Sequence, residues 1–263
     1  NAAVEVDGSA YWMSENGFFR YTGKLDSLAC LVEDYVYDDM NTIPKQHIYA
    51  GLNNLFGEVT WFYPGSGAAS NNRSVTYNYM DSTPERPVWT TSTLARSSWS
   101  DSHIFGKPHA TEYDSSATSD TTVGNTDGVT IYYEHETGVN QIKAGATTGI
   151  SASIESGDFD IAATQGGGAD LRGDGEYMMK VRRVLPDFLQ QTGDARVTLN
   201  LKSYPTDSQA SSSLGPFTTT TSTTKIDTRA RARAISLKVD NTSTGQHWKL
   251  GTFRLDIQPD GRR

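Results

Sequence analysis

The sequence predicts an all-β protein, with propeller-like antiparallel strands in residues 1–143 and a β-sandwich in residues 144–263. Three observations carry this prediction. Short stretches alternate apolar and polar residues: Val75, Tyr77 and Tyr79 against Ser74, Thr76 and Asn78 is the pattern of a strand with one buried face. Turn signals separate such stretches at close intervals, so neighbouring strands run antiparallel. Aromatics are dense, with 13 Tyr, 9 Phe and 5 Trp in 263 residues, and crowd the first half, which suits blade or sandwich packing.

The elements follow in order. In YWMSENGFFRYTG (11–23), Asn16-Gly17 has the composition of a two-residue type I′ hairpin loop, a register that sets Trp12 opposite Tyr21. Residues 26–41 place Leu28, Val32 and Tyr35 at helical spacing and form the best candidate for a short helix. HIYAGLNN (47–54) and GEVTWFYP (57–64) return to strand character. Trp61 and Tyr63 share one side of their strand while Phe62 takes the other, so this triplet reads as packing on both faces. Tyr77, Tyr79 and Trp89 join it as candidate packing or interface aromatics, with GSGAASNN (65–72) exposed between strands.

RPVWTTSTLARSSW (86–99) gives one or two further strands, then a loop-rich stretch (111–128) leads to VTIYYEHETG (129–138). Beyond it, Ile150, Ala152 and Ile154 alternate with serines, and Val197, Leu199 and Leu201 alternate with Thr198, Asn200 and Lys202. In HWKLGTFRLDI (247–257) the apolar parity changes across Gly251, which predicts a β-bulge within one strand.

Charge divides the chain. Residues 1–143 carry 8 Lys and Arg against 18 Asp and Glu, whereas residues 144–263 carry 15 against 13. The first half is therefore at −10 and the second at +2, which suggests two modules and is not the balance of a dedicated nucleic-acid binder. The mean hydropathy of −0.53 is that of a soluble protein, and no apolar run approaches the ~20 residues of a membrane span. The opening NAAVEVDGSAYW has no Met and no basic-then-apolar segment, and reads as the start of a processed product or of the C-terminal part of a longer chain. The single Cys30 forbids an internal disulfide and reads as a small buried residue.

Motifs for chemistry are scarce. His47, His103, His109, His135 and His247 are scattered; His135 between Glu134 and Glu136 is the one spacing that invites a metal, and a solvated charge cluster on a surface strand is the stronger reading. The glycine-rich run 166–176 carries Asp170, Asp174 and Glu176 but lacks the spacing of a calcium loop. Neither a nucleophile elbow nor a phosphate loop occurs. No enzyme activity, cofactor or metal is expected. The most unusual stretch is IDTRARARAISLKVD (226–240), where Arg229, Arg231 and Arg233 share the parity of Ile235, Leu237 and Val239. Guanidinium forks suit carboxylates or phosphates, and a contact with neighbouring protein, within the chain or across a subunit boundary, is favoured over DNA.

YWMSENGFFRYTG, LACLVEDYVYDDMN, AGLNNLFGEVTWFYP, NNRSVTYNY, TLARSSWSD, YYEHETG and the terminal WKLGTFRLDIQPDGRR occur in this order. Together they resemble a family of tailed-bacteriophage virion proteins, the tail hub and tail nozzle (tail tubular protein B-like) proteins of short-tailed phages. The resemblance implies a non-enzymatic structural part of the phage tail, assembled from copies of itself, commonly as a hexamer. Other tail proteins would be its neighbours, and DNA leaving the particle would touch it transiently and without specificity. An acidic wall in the first half would keep that DNA from sticking. Residues 1–143 hold strands for two or three blades, too few to close a propeller. The competing expectations are a carbohydrate-binding or host-adhesion module, using an exposed row drawn from Trp61, Tyr63, Tyr77, Tyr79 and Trp89, and a glycan hydrolase with a cleft carboxylate pair.

Overall fold

Asp7 and Gly8 turn the chain for the first time, with φ of 50° and 74°, and they form the two-residue loop between β1 (Ala3–Val6) and β2 (Ser9–Ser14). This is the hairpin that uses positive φ at both loop positions. The next hairpin, to β3 (Gly17–Tyr21), turns instead on Glu15 and Asn16, neither of which has positive φ. Gly17 alone does, at 121°, as the first strand residue. The hydroxyl of Tyr37 fixes this turn: it donates to the Ser14 carbonyl at 2.6 Å and accepts from the Gly17 N–H at 3.1 Å. The register therefore pairs Trp12 with Phe19, their rings stacked at 5.7 Å, and not with Tyr21 as expected.

The structure, a computed structural model, describes residues 1–115, 128–143, 145–163, 169–170, 177–204, 210 and 212–261. They are nearly all β, in several antiparallel sheets, with one α-helix among the described residues. The chain divides into two compact units, Asn1–Thr137 and Gly138–Arg263.

In the first unit, β1 to β3 continue into β4 (Leu25–Leu28) as a four-stranded meander. Helix α1 (Glu33–Asp39) follows, its first turn carrying Glu33 and Asp34, which favours the N-terminal end of the helix dipole. The helix lies within the expected 26–41, but through a different face: Val36 is buried, Tyr35 is exposed, and Leu28 belongs to β4. A second meander contains β5 (Tyr49–Asn53), β6 (Glu58–Tyr63), β7 (Arg73–Asn78) and β8 (Trp89–Ser92). A third sheet orders β9 (Ser98–Ser100), β10 (His109–Asp114) and β11 (Val129–Glu134), with β10 in the middle. The opening strands of these sheets are neighbours, β1 beside β5 and β5 beside β9.

The second sheet is covered on both sides, which is why β6 is buried at every position from Val59 to Tyr63 and shows no alternation. One face packs Val59, Trp61 and Tyr63 against Phe18, Val36 and Tyr11. The other sets Phe62 against Trp99 at 5.5 Å.

The second unit contains β12 (Asn140–Lys143), β13 (Ala146–Gly149), β14 (Ala152–Glu155), β15 (Ala162–Ala163), β16 (Ala169–Asp170), β17 (Met179–Leu185), β18 (Phe188–Thr192), β19 (Ala195–Lys202), β20 (Ser212–Thr219), β21 (Ile226–Ala232), β22 (Ala234–Asn241), β23 (His247–Leu250) and β24 (Arg254–Pro259). A four-stranded sheet β14-β22-β19-β20 and a three-stranded sheet β21-β17-β24 contribute to one core. Val197, Leu199, Ile235 and Val239 come from the first, and Met179, Val181, Val184, Ile226, Ala230 and Ala232 from the second. β12-β13, β15-β16 and β18-β23 form two-stranded ribbons.

Three expectations are corrected here. Gly251 is not a bulge in one strand: β23 and β24 lie in different sheets, and the chain breaks between them. A Cβ at Gly251 would sit 2.8 Å from the Asp187 carbonyl, whose oxygen accepts the Gly251 N–H, so the break needs glycine. The alternation at Ile150 to Ile154 does not mark a core face, because β14 is an edge strand exposed along its length. The arginine stripe is not collinear with Ile235. The chain bends at Arg233 between β21 and β22, and parity changes there, so Ala230, Ala232 and Ala234 are buried while Arg229 and Arg231 face outward.

Candidate protein interface

The clustered aromatics of the first unit are spent on its interior. Trp61, Phe62 and Tyr63 are fully buried. Phe18 lies 5.0 Å from Trp61 and 4.7 Å from Trp89, and Trp89 lies 4.8 Å from Tyr77. Both indoles also satisfy their N–H groups: Trp61 donates to the Ala2 carbonyl at 2.9 Å and Trp89 to that of Ala29 at 2.8 Å. Tyr79 is half-buried beside Tyr11 at 6.0 Å. These rings form a packed layer, so they do not supply the open coplanar row that saccharide stacking requires. Gly51 serves the same layer, since a Cβ there would meet the Trp99 indole at 2.6 Å.

A buried polar network backs the third sheet. The Arg96 side chain is 4% exposed. Its Nε donates to His135 Nε2 at 2.9 Å, its Nη1 lies 3.2 Å from Glu112 Oε2, and its guanidinium stands 4.0 Å over the Tyr133 ring. An arginine can only donate, so His135 accepts at Nε2 and is neutral in the fold. Burial, then the Arg96 charge, push its pKa down to about 4. His135 is thus neither a metal ligand nor a solvated surface group, because burial and Arg96 occupy it. Its flanking carboxylates are also engaged, Glu134 with Lys107 and Thr137, and Glu136 with the Asn53 amide. Cys30 is half-buried, and burial raises its thiol to about 11, far from a thiolate nucleophile.

Among the described residues, no group of three or more His, Cys, Asp or Glu is arranged to hold a metal ion. Asp174 and Glu176 of the glycine-rich run lie outside the described residues. An open recess of about 460 Å³ in the second unit is lined by Glu155, Asp158, Asn200, Lys202 and Ser236. Its polar groups satisfy one another: Asn200 and Ser236 both donate to Glu155 Oε1 at 2.6 Å, and Lys202 pairs with Asp158 at 2.5 Å. With one carboxylate neutralised by an ammonium, this is no general acid and base pair.

The strongest surface feature is the outer face of β21-β17-β24. Ala230 and Ala232 turn inward, which aims Arg229 and Arg231 outward. On β17 the register shifts between Val181 and Arg183, and this bulge exposes both Arg182 and Arg183 in succession. Lys180, opposite Arg231, and Arg254, opposite Leu185, complete six cations, interspersed with Asp227, Asp256 and Asp260. Arg183 pairs with Asp227 at 3.0 Å and Arg231 with Asp260 at 2.5 Å. Arg182, Arg229 and Arg254 are exposed and make no ion pair with any described residue. Arg233, at the bend, is partly buried, and its N–H donates to the Lys202 carbonyl. Sequence reasoning found Arg229 and Arg231 but missed Arg182, Arg183 and Arg254. The adjacent pair in VRRV, breaking a strand's alternation, was the signal for the bulge. No protein-family model and no curated protein matches this chain.

Proposed function

We propose that the chain is a non-enzymatic structural component of a bacteriophage tail, of the hub or nozzle kind, acting through packing of its copies into a ring or conduit for DNA. The observation that carries this reading is the basic sheet face, on which Arg182, Arg229 and Arg254 make no ion pair with any described residue: its cations converge on no cavity and suit a broad protein contact. The packing of the aromatics into the core supports it, as does the mutual satisfaction of the polar groups in the recess. Two consecutive four-stranded meanders with adjoining first strands favour a propeller-like arrangement of the first unit. Two sheets over one core favour a sandwich in the second.

Mass photometry of the purified protein, with immunogold labelling of phage particles, tests the proposal. Rings and labelled tails are expected; a strict monomer absent from particles removes it. One observation favours the adhesion reading instead. Exposed Phe105 and Tyr132 flank half-buried His109, which stacks on Tyr132 at 5.4 Å. Glycan binding that disappears in Tyr132→Ala would replace the structural role with that one.

A further inference from the structure

We propose that the basic outer face of β21-β17-β24 in one copy docks on the acidic, apolar-tipped loop end of the first unit in a second copy. This rests on the structural reading above and names the partner of its basic face.

The loop end is built from corresponding connections of the three sheets of the first unit: the Asp7-Gly8 turn, the turn 54–57 and the loop 101–108. The Asn54 N–H donates to Asp101 Oδ2 at 2.6 Å, which ties the second connection to the third. Met80 packs over Gly57, and the Tyr79 N–H donates to the Gly57 carbonyl at 2.8 Å, which brings in the β7–β8 loop. Leu55, Met80 and Ile104 stand on these loops 63%, 70% and 79% exposed, far more than a folded unit needs for its own packing. Carboxylates gather around them. Burial, and then Glu136 and Asp81, raise the pKa of Glu58, while Asp7 and Asp101 add to the burial that raises Tyr79. The end is therefore apolar at its tips and negative at its rim.

The sheet face has the matching chemistry. Arg182, Arg229 and Arg254 offer forks to carboxylates, and exposed Leu185 lies directly across from Arg254. Duplex DNA fits the face less well, because Asp227, Asp256 and Asp260 interrupt it and would repel phosphates in line with the arginines. The two surfaces differ, so the contact is head-to-tail: each copy retains one free acidic end and one free basic face, and further copies add in the same sense, as a ring where the rotation closes.

The test uses the full chain and two charge-reversed variants. The first, Arg182→Glu with Arg229→Glu and Arg254→Glu, keeps the acidic end. The second, Asp81→Lys with Ile104→Lys, keeps the basic face; the Asp81 backbone N–H donates to Asn78 Oδ1, and neither side chain makes a hydrogen bond or ion pair with a described residue. Sedimentation equilibrium should show wild-type association that weakens at least about tenfold as salt screens the contact. Each variant alone should associate at least about tenfold more weakly than wild type. A mixture of the two should associate more strongly than either alone, since each supplies the surface the other lacks. Wild-type oligomers unaffected by either variant overturn this interface and leave the structural role standing. A wild-type protein monomeric at every salt and concentration removes both. Duplex DNA binding that is strong in wild type and lost in the first variant reassigns the face to phosphate.

Discussion

The two units solve the same problem, filling the space between sheets, with opposite side chains. The first uses rings: Tyr11, Phe18, Trp61, Tyr63 and Tyr77 are buried, and Trp89 packs among them. The second uses branched aliphatics and alanines: Val197, Leu199 and Ile235 come from one sheet, and Val181 and Val184 stand beside Ala230 and Ala232 in the other. Large rings tolerate wide spacing but leave wide holes when removed. Small residues permit close approach of β21 to β19 and leave no room for growth. The units should therefore fail under opposite substitutions, and a pair of variants can break the comparison.

Trp61→Ala is expected to have the largest effect. The residue is fully buried and its indole N–H donates to the Ala2 carbonyl, so truncation removes a ring layer and one of the two hydrogen bonds that carbonyl accepts, the other coming from the Met13 N–H. A loss of about 3–5 kcal/mol is expected, confined to the first unit. Four of the five tryptophans lie in that unit, so urea unfolding followed by fluorescence reports on it. An unchanged midpoint would mean that the ring layer does not hold the sheets together.

Acid should separate the units next. His135 is in the first unit and its folded pKa is near 4, below its ordinary 6.5. Above pH 6.5 the imidazole is neutral in both states and contributes no pH dependence. As pH falls from 6.5 toward 4, the unfolded chain takes up a proton that the fold refuses, and stability declines. The decline is roughly 2 kcal/mol once solvent screening at the partly exposed ring is included. His135→Gln, whose amide oxygen can still accept from Arg96, should flatten the slope between pH 6.5 and 5. A slope that persists in this variant would place the titration elsewhere.

The reverse substitution sharpens the contrast in the second unit. Ala232→Leu adds volume to a 3% exposed position on β21 that turns toward the shared core. Overpacking of this kind costs about 1–3 kcal/mol. The far-UV circular dichroism transition of the second unit should move to lower urea while tryptophan fluorescence of the first stays in place.

What the sequence made legible follows from the same contrast. Half-buried strands such as β19 declare themselves, because Val197 and Leu199 face a core while their neighbours face water. The aromatic triplet of β6 was also readable, since a strand covered on both sides needs apolar groups of both parities. Turn placement was not. Both Asp7-Gly8 and Asn16-Gly17 have hairpin composition, and the Tyr37 hydroxyl, 20 residues away from Gly17, decides how the second one turns. The arginine face was half legible for a related reason. Alanines look like the weak side of RARARA when judged by hydrophobicity, yet they are the inward side, because β21 lies close to the opposing sheet. A bend at Arg233 then hides the change of parity from any pattern that assumes one continuous strand.

The smallest expected effect on stability falls on the residue with the clearest proposed role. Arg229→Ala removes an exposed guanidinium that has no ion-pair partner among the described residues, and the alanine keeps the strand's backbone pairing. Exposed changes of this sort stay within about 0.5 kcal/mol, so both unfolding transitions should overlay those of wild type. Association should nonetheless weaken, because a rim charge acts on encounter and register more than on the fold. Arg231→Ala is the internal control: it breaks the pair with Asp260 and exposes a carboxylate in the same place, so it should weaken association further for a similarly small change in stability. Equal unfolding with graded association would separate what holds the sheet together from what the sheet presents. A loss of stability as large as that of Ala232→Leu would instead make the guanidinium part of the packing, and the two faces of β21 would no longer have separate jobs.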